Sequence, residues 1–253
     1  MDLGLRDRVY LVTGGSRGLG RAAAQILVAE GARVIVAARD EEAITKTAID
    51  LGGTASAVGL VGDLGDPTAA ERLVAAAVAR YGQLNGALIS VGGPPIGTVM
   101  EIPDEAWRDA FDTIFLGALR LARAVAHTVA SNGSIVFVLS STVRTPVAYL
   151  GISNGLRPGL AMVAKSLADE LGPRGIRVNG LLPGRIDTSR VRELDQATGD
   201  AAAAQAQAVK GIPLGRYGDP EEFARVAAFV LSPAASYLTG AMIPVDGGAI
   251  RAL

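Results

Sequence analysis

Val9-Tyr-Leu-Val-Thr13-Gly14-Gly15-Ser16-Arg17-Gly18-Leu19-Gly20 runs from a short apolar segment, through a glycine-rich turn, into an alanine-rich stretch. Strand, tight turn and helix in that order form a cradle for a pyrophosphate. Glycine lets the backbone take positive φ and approach an anion closely. The first N–H groups of the helix, at its positive dipole end, have no intrahelical partner. Glycines at 14, 18 and 20 give the spacing G-x-x-x-G-x-G rather than the more widespread G-x-G-x-x-G. The competing reading is a strand-to-helix turn that merely needs small residues, and the rest of the chain decides between the two.

With 253 residues and 49% hydrophobic content, the chain is long enough to bury one large core in a single domain. Its formal net charge is −1, and its 24 basic residues are scattered rather than gathered into a stripe, which argues against nucleic-acid and membrane-surface partners. The absence of cysteine excludes disulfides and thiolate chemistry, and a single histidine excludes a His-based metal cluster, so no metal site is expected. Met1-Asp-Leu-Gly-Leu-Arg-Asp7 carries no signal-peptide pattern, and no apolar run is long enough to span a bilayer. The expected location is the cytoplasm.

Short β-branched or apolar runs alternate with helical stretches. Arg8–Thr13, Arg33–Ala38, Ala57–Gly62, Gly86–Val91, Ser134–Ser140, Ile176–Leu182 and Ala241–Val245 read as strands, and 18–30, 40–51, 67–81, 104–130, 158–172 and 220–231 as helices. Such alternation implies right-handed crossovers and a parallel sheet, and the lack of polar alternation in the strands fits a sheet covered on both faces. The expected fold is α/β, a Rossmann-like doubly wound parallel sheet of about seven strands with helices on both faces, forming one domain over 1–253. The alanine tract Ala201–Ala208 reads as a helix within a long insertion.

These residues resemble the short-chain dehydrogenase/reductase family over essentially the whole chain. The resemblance runs from Thr13–Gly20, through the acidic turn Gly62-Asp63-Leu64, to Ile176-Arg-Val-Asn179-Gly-Leu-Leu-Pro183-Gly184-Arg-Ile-Asp-Thr188. It closes with Leu238-Thr-Gly240-Ala-Met-Ile-Pro-Val-Asp246-Gly247-Gly248. It implies a bound dinucleotide whose pyrophosphate lies on Gly14, Ser16, Gly18, Leu19 and Gly20. Asp63 would hydrogen-bond the adenine, with Leu64 and Gly92 among the further cofactor contacts. The Pro183-Gly184 turn with Ile186 and Thr188 would hold the nicotinamide carboxamide and orient the ring. Charge selects the dinucleotide: the second strand ends Val36-Ala37-Ala38-Arg39, without the acid that grips a ribose 2′-OH, and Arg17 lies inside the glycine turn. Two guanidiniums suit a 2′-phosphate, so NADP(H) is expected over NAD(H). The bland alternative leaves both as solvated surface charges.

Members of that family reduce carbonyls with a Ser, a Tyr and a Lys four residues after the Tyr, helped by an Asn from the long helix; the Tyr donates the proton and the Lys lowers its pKa. Here Ser141 matches the serine, while Ser153 stands at the Tyr position, Arg157 at the Lys position and Ile114 at the Asn position. A serine hydroxyl is a far weaker acid than a phenol, and arginine, with a pKa above ~12, stays charged without shuttling a proton. Arg157 can still hold the cofactor ribose. Pro158, flanked by Gly155 and Gly159, disfavours helix around 157, so the helix is expected to start late and turn 153 and 157 off their usual face. Tyr149 is then the only nearby phenol and the candidate proton donor, set against a role as a packed loop residue or oligomer contact. Lys165 lies roughly 12 Å beyond Arg157 along a helix and does not substitute.

His127 and Trp107 read as structural, and Asp187, Arg190, Arg192 and Glu193 as charges opening the segment 187–212, which by resemblance covers the substrate. The resulting expectation is an NADP(H)-dependent oxidoreductase moving a hydride to or from a small carbonyl, alcohol or enone, with a non-standard proton donor. The alternative is a noncatalytic NADP(H)-binding sensor or partner subunit. Resemblance also implies a homotetramer, a dimer of dimers in which the long helices pair across a two-fold axis. Pro94-Pro95-Ile96, Arg144–Leu150 and Asp187–Gly211 shape the pocket without spelling out a substrate.

Overall fold

A computed structural model of the chain describes residues 1–129 and 131–252. Seven strands, β1 (Val9–Thr13), β2 (Arg33–Ala38), β3 (Ala57–Val61), β4 (Gly86–Ser90), β5 (Ser134–Val138), β6 (Arg177–Pro183) and β7 (Met242–Val245), form one sheet in the order β3-β2-β1-β4-β5-β6-β7. Every neighbouring pair is parallel. Parallel neighbours cannot be joined by a tight hairpin, so each connection crosses over a face and brings helix with it. These are α1 (Gly18–Ala29), α2 (Glu41–Asp50), α3 (Ala69–Tyr81), α4 (Asp104–Ala110), α5 (Gly117–Thr128), α6 (Gly151–Leu171), α7 (Ser189–Gln196), α8 (Ala201–Lys210) and α9 (Pro220–Leu231).

The pleat of β1 sorts its side chains to two cores. Val9 and Leu11 join Leu73 of α3, Leu121 of α5 and Leu160 of α6 on one face. Tyr10 and Val12 join Leu27 of α1, Ile44 of α2 and Phe223 of α9 on the other. Strands buried on both sides carry apolar residues at every position, which is why β1 and β5 show no polar alternation. Strand order reverses between β1 and β4, and a crevice opens there beyond the carboxyl ends of the strands. The Thr13 hydroxyl pins that junction, donating to the Ser90 carbonyl and accepting from the Ser90 N–H, each at 2.9 Å.

Two helix expectations change. The stretch 104–130 is not one uniform helix: α4 and α5 flank a π-helical turn, Phe111–Leu116, whose wider hydrogen bonding leaves no signature in an apolar pattern. Its expected end at residue 130, like the domain end at 253, lies outside the described residues. The helix expected to start late at 158 instead begins at Gly151 and carries Pro158 inside it. Pro158 withholds one helical N–H, at a cost of about 3 kcal/mol in an isolated helix, and packing on both sides offsets it. The Asn154 side chain clasps the preceding loop, accepting from Val147 N at 3.0 Å and donating to Val147 O at 2.9 Å. Gly155 and Gly159 admit the Trp107 and Phe115 rings so closely that an added Cβ would lie 2.8 Å and 3.2 Å from them. The glycines that weaken the helix by propensity therefore let it dock.

Candidate functional site

A cleft of about 1600 Å³ lies over the carboxyl ends of the strands. That exceeds the roughly 300–1,000 Å³ of a single drug-sized site and leaves room for a dinucleotide with a second molecule. At one end lies the glycine turn. Gly14 and Gly18 hold φ of +61° and +56°, and a Cβ on Gly20 would overlap the Gly14 carbonyl. The turn delivers α1 end-on, and α1 starts without a side-chain cap and without an acid in its first turn. Free N–H groups at a positive helix end form an anion cradle, so these residues fit the pyrophosphate of a dinucleotide. Ser16, Arg17, Leu19, Arg39, Asp63 and Leu64 line the same end, with Arg17 and Arg39 exposed on its rim.

The far end is framed by Gly92, Ser141, Tyr149 and Arg157 together with Pro183, Gly184, Ile186 and Thr188. A Cβ on Gly184 would meet Asp246 at 2.7 Å, so only glycine lets the turn after β6 sit against the C-terminal segment. Ala249 and Ile250 of that segment also line the cleft, a contribution that no local pattern announces. Thr188 caps α7 by accepting from Val191 N at 3.4 Å. Ile114 is buried at the cleft wall with Ile102, Ala110 and Ile152, an apolar setting that offers no hydrogen bond.

Of the residues singled out in the sequence, Ser153 alone is not brought to the cleft. It is 5% exposed, and its Oγ lies 3.1 Å from Thr142 Oγ1 inside the core. Arg157, one turn further along α6, does reach the cleft although it is only 6% exposed. Nη1 donates to the Val138 carbonyl at 2.8 Å and Nη2 to the Val91 carbonyl at 3.4 Å. Burial, reinforced by the neighbouring Arg190 charge, pulls its pKa down to about 10. It has no carboxylate within 4.0 Å among the described residues. Tyr149 is 64% exposed at the cleft mouth and holds φ +60°, a left-handed conformation rare outside glycine. Its carbonyl accepts from Gly97 N at 2.8 Å, which fixes the strained residue in the loop. Lys165 packs instead against Gly240, and exposed His127 lies near the end of α5; neither lines the cleft.

α7 closes one side, contributing Arg190, Glu193 and Leu194 to the lining, whereas α8 contributes nothing. Arg190 reaches across to donate to the Pro94 carbonyl at 2.6 Å, and Arg17 Nη1 lies 3.7 Å from Glu193 Oε1. The far end of α7 is anchored by Asp195, which is 5% exposed and accepts from Arg185 at 2.7 Å and from the Tyr217 hydroxyl at 3.0 Å. Burial and that carboxylate raise the Tyr217 pKa. Nothing local in the sequence marks Asp195 as different from the solvated acids around it. No described helix is long and apolar enough to cross a membrane, and no metal-ligating cluster is found among the described residues.

Comparison with known proteins agrees with this geometry. Residues 14–249 match a family model described as enoyl-(acyl carrier protein) reductase. The chain is 33% identical over 250 residues to the 3-oxoacyl-[acyl-carrier-protein] reductase of Salmonella typhimurium, covering 97% of this chain and 98% of the relative. Among solved structures it resembles YwfH, an NADPH-dependent reductase involved in bacilysin biosynthesis, at a TM-score of 0.92 and 25% identity over 98% of this chain and all of the other. It also resembles a variant of actinorhodin polyketide ketoreductase solved with NADPH, at a TM-score of 0.90 and 30% identity, covering 97% and 98% of the two chains. A nucleotide cradle at the switch point, a complete turn after β6 and near full-length likeness to these reductases lead to one assignment: the chain is an oxidoreductase of the short-chain dehydrogenase/reductase family.

Proposed function

We propose that this protein is an NADP(H)-dependent reductase or dehydrogenase of a small carbonyl, alcohol or enone, working without the family's Tyr-x-x-x-Lys pair. The observation that carries the reading is the meeting, in one cleft, of an uncapped α1, the rim guanidiniums of Arg17 and Arg39, and the turn from Pro183 to Thr188. The glycine turn would hold the pyrophosphate, Arg17 and Arg39 a 2′-phosphate, Asp63 the adenine, and Pro183, Gly184, Ile186 and Thr188 the carboxamide. Two similar structures, described as NADPH-dependent or solved with NADPH, support the phosphorylated dinucleotide. When bound, that group supplies or accepts the hydride.

The protein's own part is to orient the reactants, exclude water and move a proton. α7 covers the cleft, pinned by Asp195 and by the Arg190–Pro94 contact. Tyr149 is the phenol on the cleft, and its left-handed backbone is the kind of local strain that a structure keeps where a side chain must be aimed. It is the proposed proton donor, with the Ser141 hydroxyl as hydrogen-bond partner to the reacting oxygen. Arg157 stays cationic throughout, and the Ser153 hydroxyl is engaged by Thr142. That engagement favours the second reading, a dinucleotide-binding protein without turnover, because α6 then offers no acid to the cleft. We extend the proposal to a dimer of dimers built on α4, α5 and α6, whose outer side exposes Phe111 and Met162.

Mixing the protein with NADPH and a panel of ketones and enones, and following absorbance of the reduced nicotinamide, separates the readings. Turnover that falls by about 10²–10⁴-fold in Tyr149→Phe, the usual contribution of a general acid, with unchanged NADPH affinity supports Tyr149 as donor. Turnover that survives Tyr149→Phe removes it from the mechanism, and tight NADPH binding without turnover on any substrate favours the noncatalytic reading.

A further inference from the structure

Arg157 presents a problem of charge that cofactor binding does not solve. It is nine-tenths buried, faces the cleft, and has Arg190 rather than a carboxylate as its charged neighbour. An isolated buried charge is costly unless it is paired, yet the only partners it has here are two neutral carbonyls, Val138 O and Val91 O. Those carbonyls sit at the carboxyl ends of β5 and β4. The phosphate-binding features lie across the switch point, at the ends of β1 and β2, where the α1 amides and Arg17 and Arg39 already provide positive groups. A guanidinium has five N–H donors, and two are spent on the carbonyls, which leaves donors for a ligand. Around it, Pro94, Ile96, Val147, Leu150 and Leu194 give the cleft apolar walls. Arg190 adds a second positive charge, only partly offset by Glu193 at 3.7 Å.

We infer that the floor of the cleft between β4 and β5 is an anion site, and that the substrate is a small organic acid whose carboxylate is held by Arg157, with Arg190 strengthening the field. The inference rests on the oxidoreductase reading for calling the ligand a substrate, but the site itself does not depend on turnover. A planar guanidinium matches a carboxylate with paired hydrogen bonds, and in an apolar, water-poor pocket such bonds are stronger than at a surface. Neutral ketones would leave the charge uncompensated.

The test is binding by calorimetry at neutral pH to protein saturated with NADP⁺, using pairs that differ only in charge: benzoate against benzamide, and levulinate against its amide. In the wild type at least one acid should bind about tenfold or more tightly than its amide, the effect of one hydrogen bond to a charged group. Arg157→Met should erase that preference while leaving NADP⁺ affinity within about twofold. Arg157→Lys should keep a reduced preference, and Arg190→Gln should lower it a few-fold. Equal binding of acid and amide, or binding of neither, overturns the inference. So does an Arg157→Met protein that loses NADP⁺ as severely as it loses the acid, since the guanidinium would then belong to the cofactor. Should Arg157→Met fail to fold, the wild-type pairs with Arg157→Lys and Arg190→Gln still decide. Should wild-type protein fail to bind NADP⁺, the cofactor reading falls, and the same pairs titrated without dinucleotide decide the anion site on its own.

Discussion

Gly155 offers a position where two opposed effects of similar size can be weighed. Inside a helix, alanine is favoured over glycine by about 1 kcal/mol, so Gly155→Ala in the middle of α6 would stabilise if nothing else changed. Its Cβ, however, would lie 2.8 Å and 2.9 Å from two atoms of the Trp107 ring, whose movement is restricted by its packing with Ile102, Ile114, Ile152 and Leu156. Overpacking of this kind costs about 1–3 kcal/mol, so the clash should win by about 1 kcal/mol. For a chain of this size that lowers the thermal midpoint by about 2–4 °C. Gly159→Ala serves as the control, because its Cβ would meet Phe115 at 3.2 Å, a gap that a small shift relieves, and its midpoint should stay close to that of the wild type. Calorimetric melts of wild type, Gly155→Ala, Trp107→Leu and the double variant close a cycle. In the Trp107→Leu background the same alanine should become stabilising. A Gly155→Ala protein that melts above wild type with Trp107 in place would refute the claim that close approach is what keeps glycine there.

Three further outcomes are expected. NADPH should bind more tightly than NADH, and Arg39→Asp should reverse the order in fluorescence titrations; equal affinities in the wild type would remove the 2′-phosphate role from the rim. Burial pushes the Tyr10 phenol up to about 12, so the neutral form is favoured in the fold: stability is full below about pH 10 and declines by up to about 2–3 kcal/mol as pH rises through 12. Tyr10→Phe should flatten that alkaline limb in denaturant melts at modest cost, because Arg177 also donates to the Leu231 carbonyl that Tyr10 serves. Light scattering should show a tetramer at micromolar concentration, and Phe111→Glu with Met162→Glu should lower the mass, whereas a wild-type monomer would count against the proposed pairing.

The strands were legible because residues buried on two faces leave little freedom of composition, and β1 to β7 fall within about two residues of the expected runs. The cofactor half of the cleft was legible for a related reason: Gly14, Gly18 and Gly184 answer local backbone demands that the sequence states directly. Pro158 misled because propensity is a local term, and the Trp107 and Phe115 contacts that override it come from another helix. Ser153 is the same lesson at the site. Its position in the sequence suggests the cleft, and only the approach of Thr142 from the loop after β5 turns its hydroxyl inward. Asp195 has no local signature at all, since its importance depends on Arg185 and Tyr217 arriving from different segments.

The 3.7 Å contact between Arg17 and Glu193 joins the phosphate turn to the covering helix α7. A guanidinium engaged by a carboxylate is less available to an incoming phosphate, so cofactor affinity and α7 docking are thermodynamically linked through one shared donor. Linkage is reciprocal: whatever weakens the tether favours the phosphate, and the phosphate weakens the tether by the same factor. Both partners are exposed, so the coupling is small, about 0–1 kcal/mol or at most roughly fivefold in affinity. Glu193→Gln would release that factor in favour of the phosphorylated dinucleotide alone, and salt, which screens exposed charges beyond about 8–10 Å, would loosen α7 and weaken phosphate binding together.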